Sequence, residues 1–96
     1  MFCHIVMLSL QKPLSKADCE EIEEYCIQIR KQLPDVVSMR FVYNISDRAR
    51  GYTHAFVAEF IDECAHDRYQ KAEVHMQLKE KIQQLKKNML VLDYEI

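Results

Sequence analysis

Two residues suited to proton-transfer chemistry lie in the second half of the chain: Tyr69 and, six positions later, His75. His75 begins a run spaced three and four residues apart, through Leu78, Ile82 and Leu85, which places all four side chains on the apolar face of one helix. We therefore expect His75 to point inward. In one unbroken helix of 3.6 residues per turn, Tyr69 and His75 would diverge by about 120°. They converge only if the chain bends between them.

The chemistry that this pair suits is proton abstraction next to a carbonyl group. An imidazole with a pKa near its ordinary value of about 6.5 can accept a proton at neutral pH. A phenol beside it can donate a hydrogen bond to the carbonyl oxygen, and a dry pocket strengthens both effects. The alternative interpretation is structural, with a packed Tyr69 and a hydrogen-bonded core histidine at position 75. The residues alone leave both interpretations open.

Length and composition favour one compact, soluble domain over residues 1–96. The chain has 96 residues, is 49% hydrophobic and carries a net charge of −2 with mixed signs, so neither nucleic acid nor membrane is an expected partner. No apolar run approaches the ~20 residues that span a bilayer. The four cysteines form no C-x-x-C pair and lack histidines at zinc-ligand spacing, which favours reduced thiols and a cytoplasmic location.

Hydrophobic periodicity and capping signals predict seven elements. In chain order they are a strand over Phe2–Leu10, a helix capped by Ser15 (with Asp18 as capping-box partner) and ended by Pro34, strands over Val36–Ile45 and Tyr52–Phe60, a short helix capped by Asp62, a helix from His75 to about Lys87, and a strand over Met89–Tyr94. The order β-α-β-β-α-α-β is typical of an α+β, ferredoxin-like split βαβ sandwich. This fold is a four-stranded antiparallel sheet with the helices on one face.

Strand alternation then assigns side chains to the two faces of the sheet. If the first and third strands pair antiparallel end to end, His4 faces Ala58 and His54 faces Leu8. At ~3.3 Å per residue the two histidines are about 13 Å apart, too far to share a metal ion. Residues expected beneath the helices are His4, Val6, His54, Phe56, Val91 and Asp93. The opposite face carries Ile5, Met7, Ala55, Val57, Leu90, Leu92 and Tyr94.

That opposite face is too apolar to be left in water, so the sequence predicts a homodimer joined through the sheet face. Other polar residues receive structural interpretations. Asp93 should be paired, with a backbone or lysine partner favoured over a histidine. His66 is expected on an exposed helix side with a weak Asp62 contact and no functional role. The lysines at 79, 81, 86 and 87 are expected to form a solvated helix face.

Several of these segments together resemble the stress-responsive A/B-barrel family. They are His4-Ile5-Val6, Gly51-Tyr52-Thr53-His54, the Tyr69 and His75 pair, and Leu92-Asp93-Tyr94. The resemblance implies homodimers whose sheets close into a dimeric α+β barrel, and a pocket between each sheet and its helices. Family members commonly place His-Pro between the tyrosine and the histidine, where this chain has Ala72-Glu73. Phe56 and Phe60 are expected to reduce the pocket volume.

The resemblance also implies a function, because one member of the family is a plant polyketide cyclase. It suggests a small, mostly apolar carbonyl or aromatic ligand and cofactor-free cyclase or lyase-like chemistry, with His75 as base and Tyr69 as donor. Substrate-binding roles would fall to His4, Val6, His54, Phe56, Val91 and Asp93, and no cofactor or metal is expected. The alternatives are a cofactor-free monooxygenase of the dimeric α+β barrel type and a non-catalytic, stress-associated structural dimer. A cavity of about 300 Å³ or more would favour a ligand site. Room for only one or two waters would favour the structural dimer.

Overall fold

The computed structural model describes residues 1–96 and confirms the predicted order of elements. The elements are β1 (Phe2–Leu10), α1 (Lys16–Gln32), β2 (Val36–Tyr43), β3 (Tyr52–Phe60), α2 (Glu63–Lys71), α3 (Glu73–Leu85) and β4 (Lys86–Glu95). The strands form one antiparallel sheet in the order β2-β3-β1-β4. This is the ferredoxin-like α+β fold that the sequence predicts.

The pairing of β1 with β3 has the register expected from the sequence. His4 lies opposite Ala58 and Leu8 lies opposite His54. Because side chains alternate, this register places one set of residues under the helices, and Leu8 and Phe60 become fully buried there. A core of 15 buried residues joins this face to the three helices.

Helix α1 forms as predicted, and its start is capped by Ser15. The Ser15 hydroxyl accepts a hydrogen bond from the Asp18 amide at 3.0 Å, and Ile22 and Ile29 are fully buried. The Asp18 carboxylate accepts a hydrogen bond from Lys81 on α3 at 2.9 Å, and Lys81, followed by the hydroxyl and the amide of Ser15, lowers the pKa of this carboxyl. A tertiary ion pair is thus added to the local cap that the sequence predicts.

The chain bends between α2 and α3 without a proline. Ala72 has φ −71° and ψ 141°, an extended conformation that separates the two helices, and its amide donates to the carbonyl of Tyr69 at 3.1 Å. Helix α3 starts with no side-chain cap. The bend turns α3 relative to α2 and brings the inward face of each helix toward the same part of the sheet.

Several predicted element boundaries are wrong. Helix α3 ends at Leu85 instead of Lys87, and β4 begins at once with Lys86. Pairing with β1 explains the early start, because Leu10 lies opposite Lys86 and the Ser9 hydroxyl accepts a hydrogen bond from the Asn88 amide at 3.0 Å. Strand β2 also ends at Tyr43, two residues before the predicted Ile45.

The outer face of the sheet, which we define as the side away from the helices, is broadly apolar. Leu90 is 53% exposed, Leu92 is 56% exposed and Tyr94 is 44% exposed. No helix of the chain is both long enough and apolar enough to cross a bilayer.

Candidate functional site

A cavity of about 220 Å³ lies between the inner face of the sheet and helices α2 and α3. Seven of the eight predicted site residues line it, and they come from five different elements: His4, Val6, Phe56, Tyr69, His75, Val91 and Asp93. Val91 and Asp93 are on the inner face as predicted, yet both are exposed because the helices do not cover β4. The cavity therefore opens to solvent beside β4.

The cavity is smaller than the ligand-sized cavity of about 300 Å³ named above, and larger than a space for one or two waters. It is below the range of about 300–1,000 Å³ that holds drug-sized ligands. It is also several times the volume of about 30 Å³ that one water molecule occupies in the liquid. A compact ligand of the size of a small ring or a short acyl chain fits such a space.

Tyr69 and His75 converge inside this cavity. Their ring centroids are 4.3 Å apart with an angle of 49° between the ring planes. The Tyr69 side chain packs against Phe60, and the residue is only 3% exposed. Its hydroxyl has no hydrogen-bond partner within the chain and faces the cavity. Burial raises the pKa of Tyr69 well above its usual range, so the phenol stays protonated and is a hydrogen-bond donor at all ordinary pH values.

His75 has the tautomer and charge of a general base. Its Nδ1 lies 3.2 Å from the backbone carbonyl of Gln70, so this nitrogen carries the proton and donates it to the carbonyl. The lone pair is then on Nε2. Burial lowers the pKa of His75, which keeps the ring neutral near pH 7. A neutral base and a neutral donor therefore lie side by side.

Asp93 pairs with a histidine, which corrects the expectation of a backbone or lysine partner. Its Oδ1 accepts a hydrogen bond from Nδ1 of His4, directly across the β1–β4 ladder. Strand pairing explains the contact, because the two residues occupy opposed positions on the same face. The bond fixes the orientation of the His4 ring at the cavity wall.

His66 is buried, so the prediction of an exposed surface histidine is wrong. It is 5% exposed and stacks on Phe2 with ring centroids 4.5 Å apart. Its ring also lies 4.6 Å from the His4 ring. The signal that could have placed it is its spacing of three residues from Tyr69, since such pairs share a helix face.

His54 does not line the cavity, contrary to its predicted role in substrate binding. Its ring stacks on Phe41 at 5.1 Å, and its Nδ1 is 2.8 Å from the Thr53 hydroxyl. The register that put His54 on the inner face is correct. However, Leu8, its partner on β1, is at the far end of the strand from His4, so His54 lies beyond the cavity.

The lysines do not form the single solvated helix face that the sequence suggested. Lys86 and Lys87 are in β4, while Lys79 and Lys86 line the opening of the cavity. Lys81 is largely buried between α1 and α3, where its Nζ donates to Asp18 and lies 3.2 Å from a carboxylate oxygen of Glu21. These hydrogen bonds raise the pKa of Lys81.

Comparison with known proteins agrees with this architecture. The family model described as Stress Responsive A/B Barrel Domain matches residues 2–96. Among curated proteins, none matches this sequence. A hydroxynitrile lyase from Passiflora edulis superposes with a TM-score of 0.85 at 19% identity, covering 99% of this chain and 92% of that one. A dimeric ferredoxin-like protein of unknown function from Jannaschia sp. CCS1 gives a TM-score of 0.86 at 22% identity, covering 99% and 98%. A Dabb family protein from Mesorhizobium loti gives a TM-score of 0.79 at 20% identity, covering 99% and 95%. The family model spans nearly the whole sequence, and the chain belongs to the stress-responsive A/B-barrel family.

Proposed function

We propose that this chain binds a small, mostly apolar carbonyl or aromatic compound in the cavity and performs cofactor-free, cyclase or lyase-like proton transfer on it. The observation that carries the proposal is the convergence of Tyr69 and His75, 4.3 Å apart, on one cavity. Both groups are held in the neutral forms that the chemistry needs. The likeness in fold to a hydroxynitrile lyase from Passiflora edulis supports the lyase-like part of the proposal.

In the proposed step, Nε2 of His75 takes a proton from the carbon next to the substrate carbonyl. The electron pair of the broken C–H bond moves toward the carbonyl oxygen, where negative charge grows. The Tyr69 hydroxyl donates a hydrogen bond to that oxygen and stabilises the charge. His75 becomes an imidazolium, which the Gln70 carbonyl stabilises through Nδ1–H. In a cyclisation, the carbanion attacks a second carbonyl of the substrate, and the imidazolium returns the proton to the new alkoxide.

Five other residues would hold the substrate. Val6, Phe56 and Val91 provide the apolar wall, while His4 and Asp93 form the polar end. His54 has no part in this proposal because its ring is bound to neighbours outside the cavity.

The test is a titration of isotopically labelled protein with short β-polyketides and aromatic analogues, followed by NMR. We expect shifts of the His75 and Tyr69 signals and weaker binding in His75→Ala. His54→Ala is the matched control, because it also removes an imidazole but leaves the cavity intact. Absence of any shift, or equal affinity in His75→Ala, would refute the ligand site.

A second readout addresses the chemistry itself. In D₂O, proton abstraction by His75 would exchange the hydrogen next to the substrate carbonyl for deuterium, and His75→Ala should abolish the catalysed part of this exchange. Oxygen uptake on a panel of quinols, in place of exchange, would indicate the monooxygenase alternative. Ligand binding with neither activity would support a binding protein without catalysis.

We also propose that two copies of the chain associate through the outer face of the sheet. The face is apolar, with Leu90, Leu92 and Tyr94 each about half exposed, and a structural neighbour from Jannaschia is described as dimeric. A second copy of the same face is self-complementary under two-fold symmetry. Pairing would remove from water a patch of the kind that monomeric proteins rarely expose.

Light scattering at micromolar concentration should give twice the chain mass of 11.5 kDa. Val57→Asp, at the centre of the outer face, should dissociate or unfold the protein. The control is Met76→Asp, which places the same charge at a 53% exposed position on α3 and should stay dimeric. A stable wild-type monomer, or a dimeric Val57→Asp, would show that the outer face is not the interface.

A further inference from the structure

Three side chains from distant parts of the sequence meet beside the cavity. They are His4 on β1, His66 on α2 and Asp93 on β4, and one potential metal-binding atom from each lies within 4.8 Å of the other two. The rings of His4 and His66 are 4.6 Å apart. We call these three residues the inner cluster. The reaction proposed above assigns no role to His66.

Folding requirements explain only part of this arrangement. The imidazoles of His4 and His66 occupy buried positions that pack against Phe2 and Phe60, where apolar side chains would be usual. The polar partner of the His66 ring is the side-chain amide of Gln70, 3.3 Å away on the same helix. Gln70 is exposed, so water can easily replace it as a partner. A buried imidazole with such a loose partner keeps a nitrogen lone pair free for a stronger one.

We propose that the inner cluster binds one first-row divalent transition metal ion, with Zn²⁺ as the best fit. Two imidazole nitrogens and one carboxylate oxygen form a ligand set typical of zinc sites that keep an open coordination position. His4 and Asp93 line the cavity, so the open position faces it and can hold a water or a small ligand. Mg²⁺ and Ca²⁺ prefer all-oxygen sites and should bind far more weakly.

The geometry requires only a local adjustment. Ligands that are 2.0–2.1 Å from a tetrahedral zinc ion are separated from one another by about 3.3 Å. All three ligand atoms of the inner cluster lie within 4.8 Å of one another, so side-chain rotations that change these separations by no more than roughly 1.5 Å would complete the site. Nδ1 of His4 and Oδ1 of Asp93 form a hydrogen bond with each other. A metal ion that binds between these two atoms would displace the bonding proton to solvent, and the two atoms would move slightly apart to admit the ion.

The charge at the inner cluster suits a divalent cation. The Asp93 carboxylate supplies the negative charge that a divalent ion needs. No lysine or arginine forms an ion pair with Asp93, so the carboxylate is available.

The test is calorimetric titration of the tag-free 96-residue chain with Zn²⁺, with Mg²⁺ as the comparison ion. We expect one Zn²⁺ per chain and no binding of Mg²⁺ in the same concentration range. His66→Phe keeps the stacking on Phe2 but removes the ligand, and Asp93→Asn keeps the size of the side chain but removes its charge. Each should weaken Zn²⁺ binding at least about tenfold. His54→Gln, which removes a histidine outside the inner cluster, should bind Zn²⁺ as the wild type does.

Circular dichroism without metal would verify that each variant folds. If His66→Phe fails to fold, Asp93→Asn still decides the result, because the Asp93 side chain is partly exposed and its removal spares the core. Co²⁺ provides an independent readout, since its visible absorption is strong in four-coordinate sites and should be lost in Asp93→Asn. The proposal is overturned if the wild type binds no Zn²⁺, or if Zn²⁺ binds equally well to His66→Phe and Asp93→Asn. The latter result would place the ion on other groups, such as the exposed Cys64 thiol.

Discussion

Removing the Tyr69 hydroxyl should separate the stability of the protein from its chemistry. In Tyr69→Phe the ring keeps its packing against Phe60 and His75, at centroid distances of 5.1 and 4.3 Å. The hydroxyl has no partner within the chain, so its loss leaves no unsatisfied group behind. The free energy of unfolding should therefore change by less than about 0.5 kcal/mol. By contrast, Tyr69→Ala empties a buried site and should cost about 3–5 kcal/mol.

Tyr69→Phe should weaken ligand binding more than it lowers the stability of the fold. It should lower the rate of the reaction still more. A neutral hydrogen bond contributes about 0.5–1.5 kcal/mol to ground-state binding, which corresponds to a roughly 2- to 13-fold rise in Kd. Where negative charge develops on the carbonyl oxygen, the loss of one donor typically lowers kcat by about 10²–10³-fold. Tyr69→Phe should thus affect kcat much more than it affects Kd.

Three measurements on the same preparations provide the test: urea unfolding, ligand titration by NMR, and deuterium exchange at the substrate carbon. A loss of stability above about 1 kcal/mol in Tyr69→Phe would mean that the hydroxyl has a structural partner. Equal losses in kcat and in binding would mean that Tyr69 holds the substrate without stabilising the developing charge. Either result would refute the reasoning from this geometry.

Three further predictions concern pH, a turn and the core. Because burial lowers the pKa of His75 below the unfolded value of about 6.5, its contribution to stability is complete above that pH and is lost as the pH falls below it. Urea unfolding between pH 7 and pH 5 should show a smaller decline for His75→Asn than for the wild type, and equal declines would refute this linkage. Gly51 has φ +87° and open space where a Cβ would lie, so Gly51→Ala should cost about 1–2 kcal/mol through the backbone alone, whereas D-alanine introduced by chemical synthesis should be tolerated. Leu8 is fully buried, so thermal or urea unfolding should show a loss of about 2–5 kcal/mol for Leu8→Ala, against almost none for Ile45→Ala at a 93% exposed position.

The parts of the fold that the sequence predicts well are those governed by period and one-sided burial. Strand β3 has the predicted bounds, and the β1–β3 register is the predicted one, because a shift by one residue would move every apolar side chain to the other face. The helix caps at Ser15 and Asp62 were equally predictable, since each hydrogen bond joins atoms no more than three residues apart. Short-range sequence signals were sufficient to predict these two helix starts.

The features that escaped prediction depend on contacts between distant residues. The start of β4 at Lys86 follows from pairing with Leu10, and the burial of His66 follows from the position of α2 over Phe2. The bend at Ala72 forms without a proline because tertiary packing fixes both flanking helices. His54 was predicted only in part. The sequence predicts that it lies on the inner face of the sheet, but its distance from the cavity along β3 depends on where α2 and α3 cross the sheet.

Alternate residues of strand β4 contribute to two different surfaces of the protein. Its odd-numbered residues Met89, Val91 and Asp93 border the cavity, while Leu90, Leu92 and Tyr94 form the outer face. Helix α3 passes into this strand with no loop residue between Leu85 and Lys86 that could absorb a change in length. A single-residue insertion or deletion near Asn88 would exchange the two sets of side chains and damage both surfaces at once. Among related sequences, substitutions should therefore be common along this segment, whereas changes in its length should be rare.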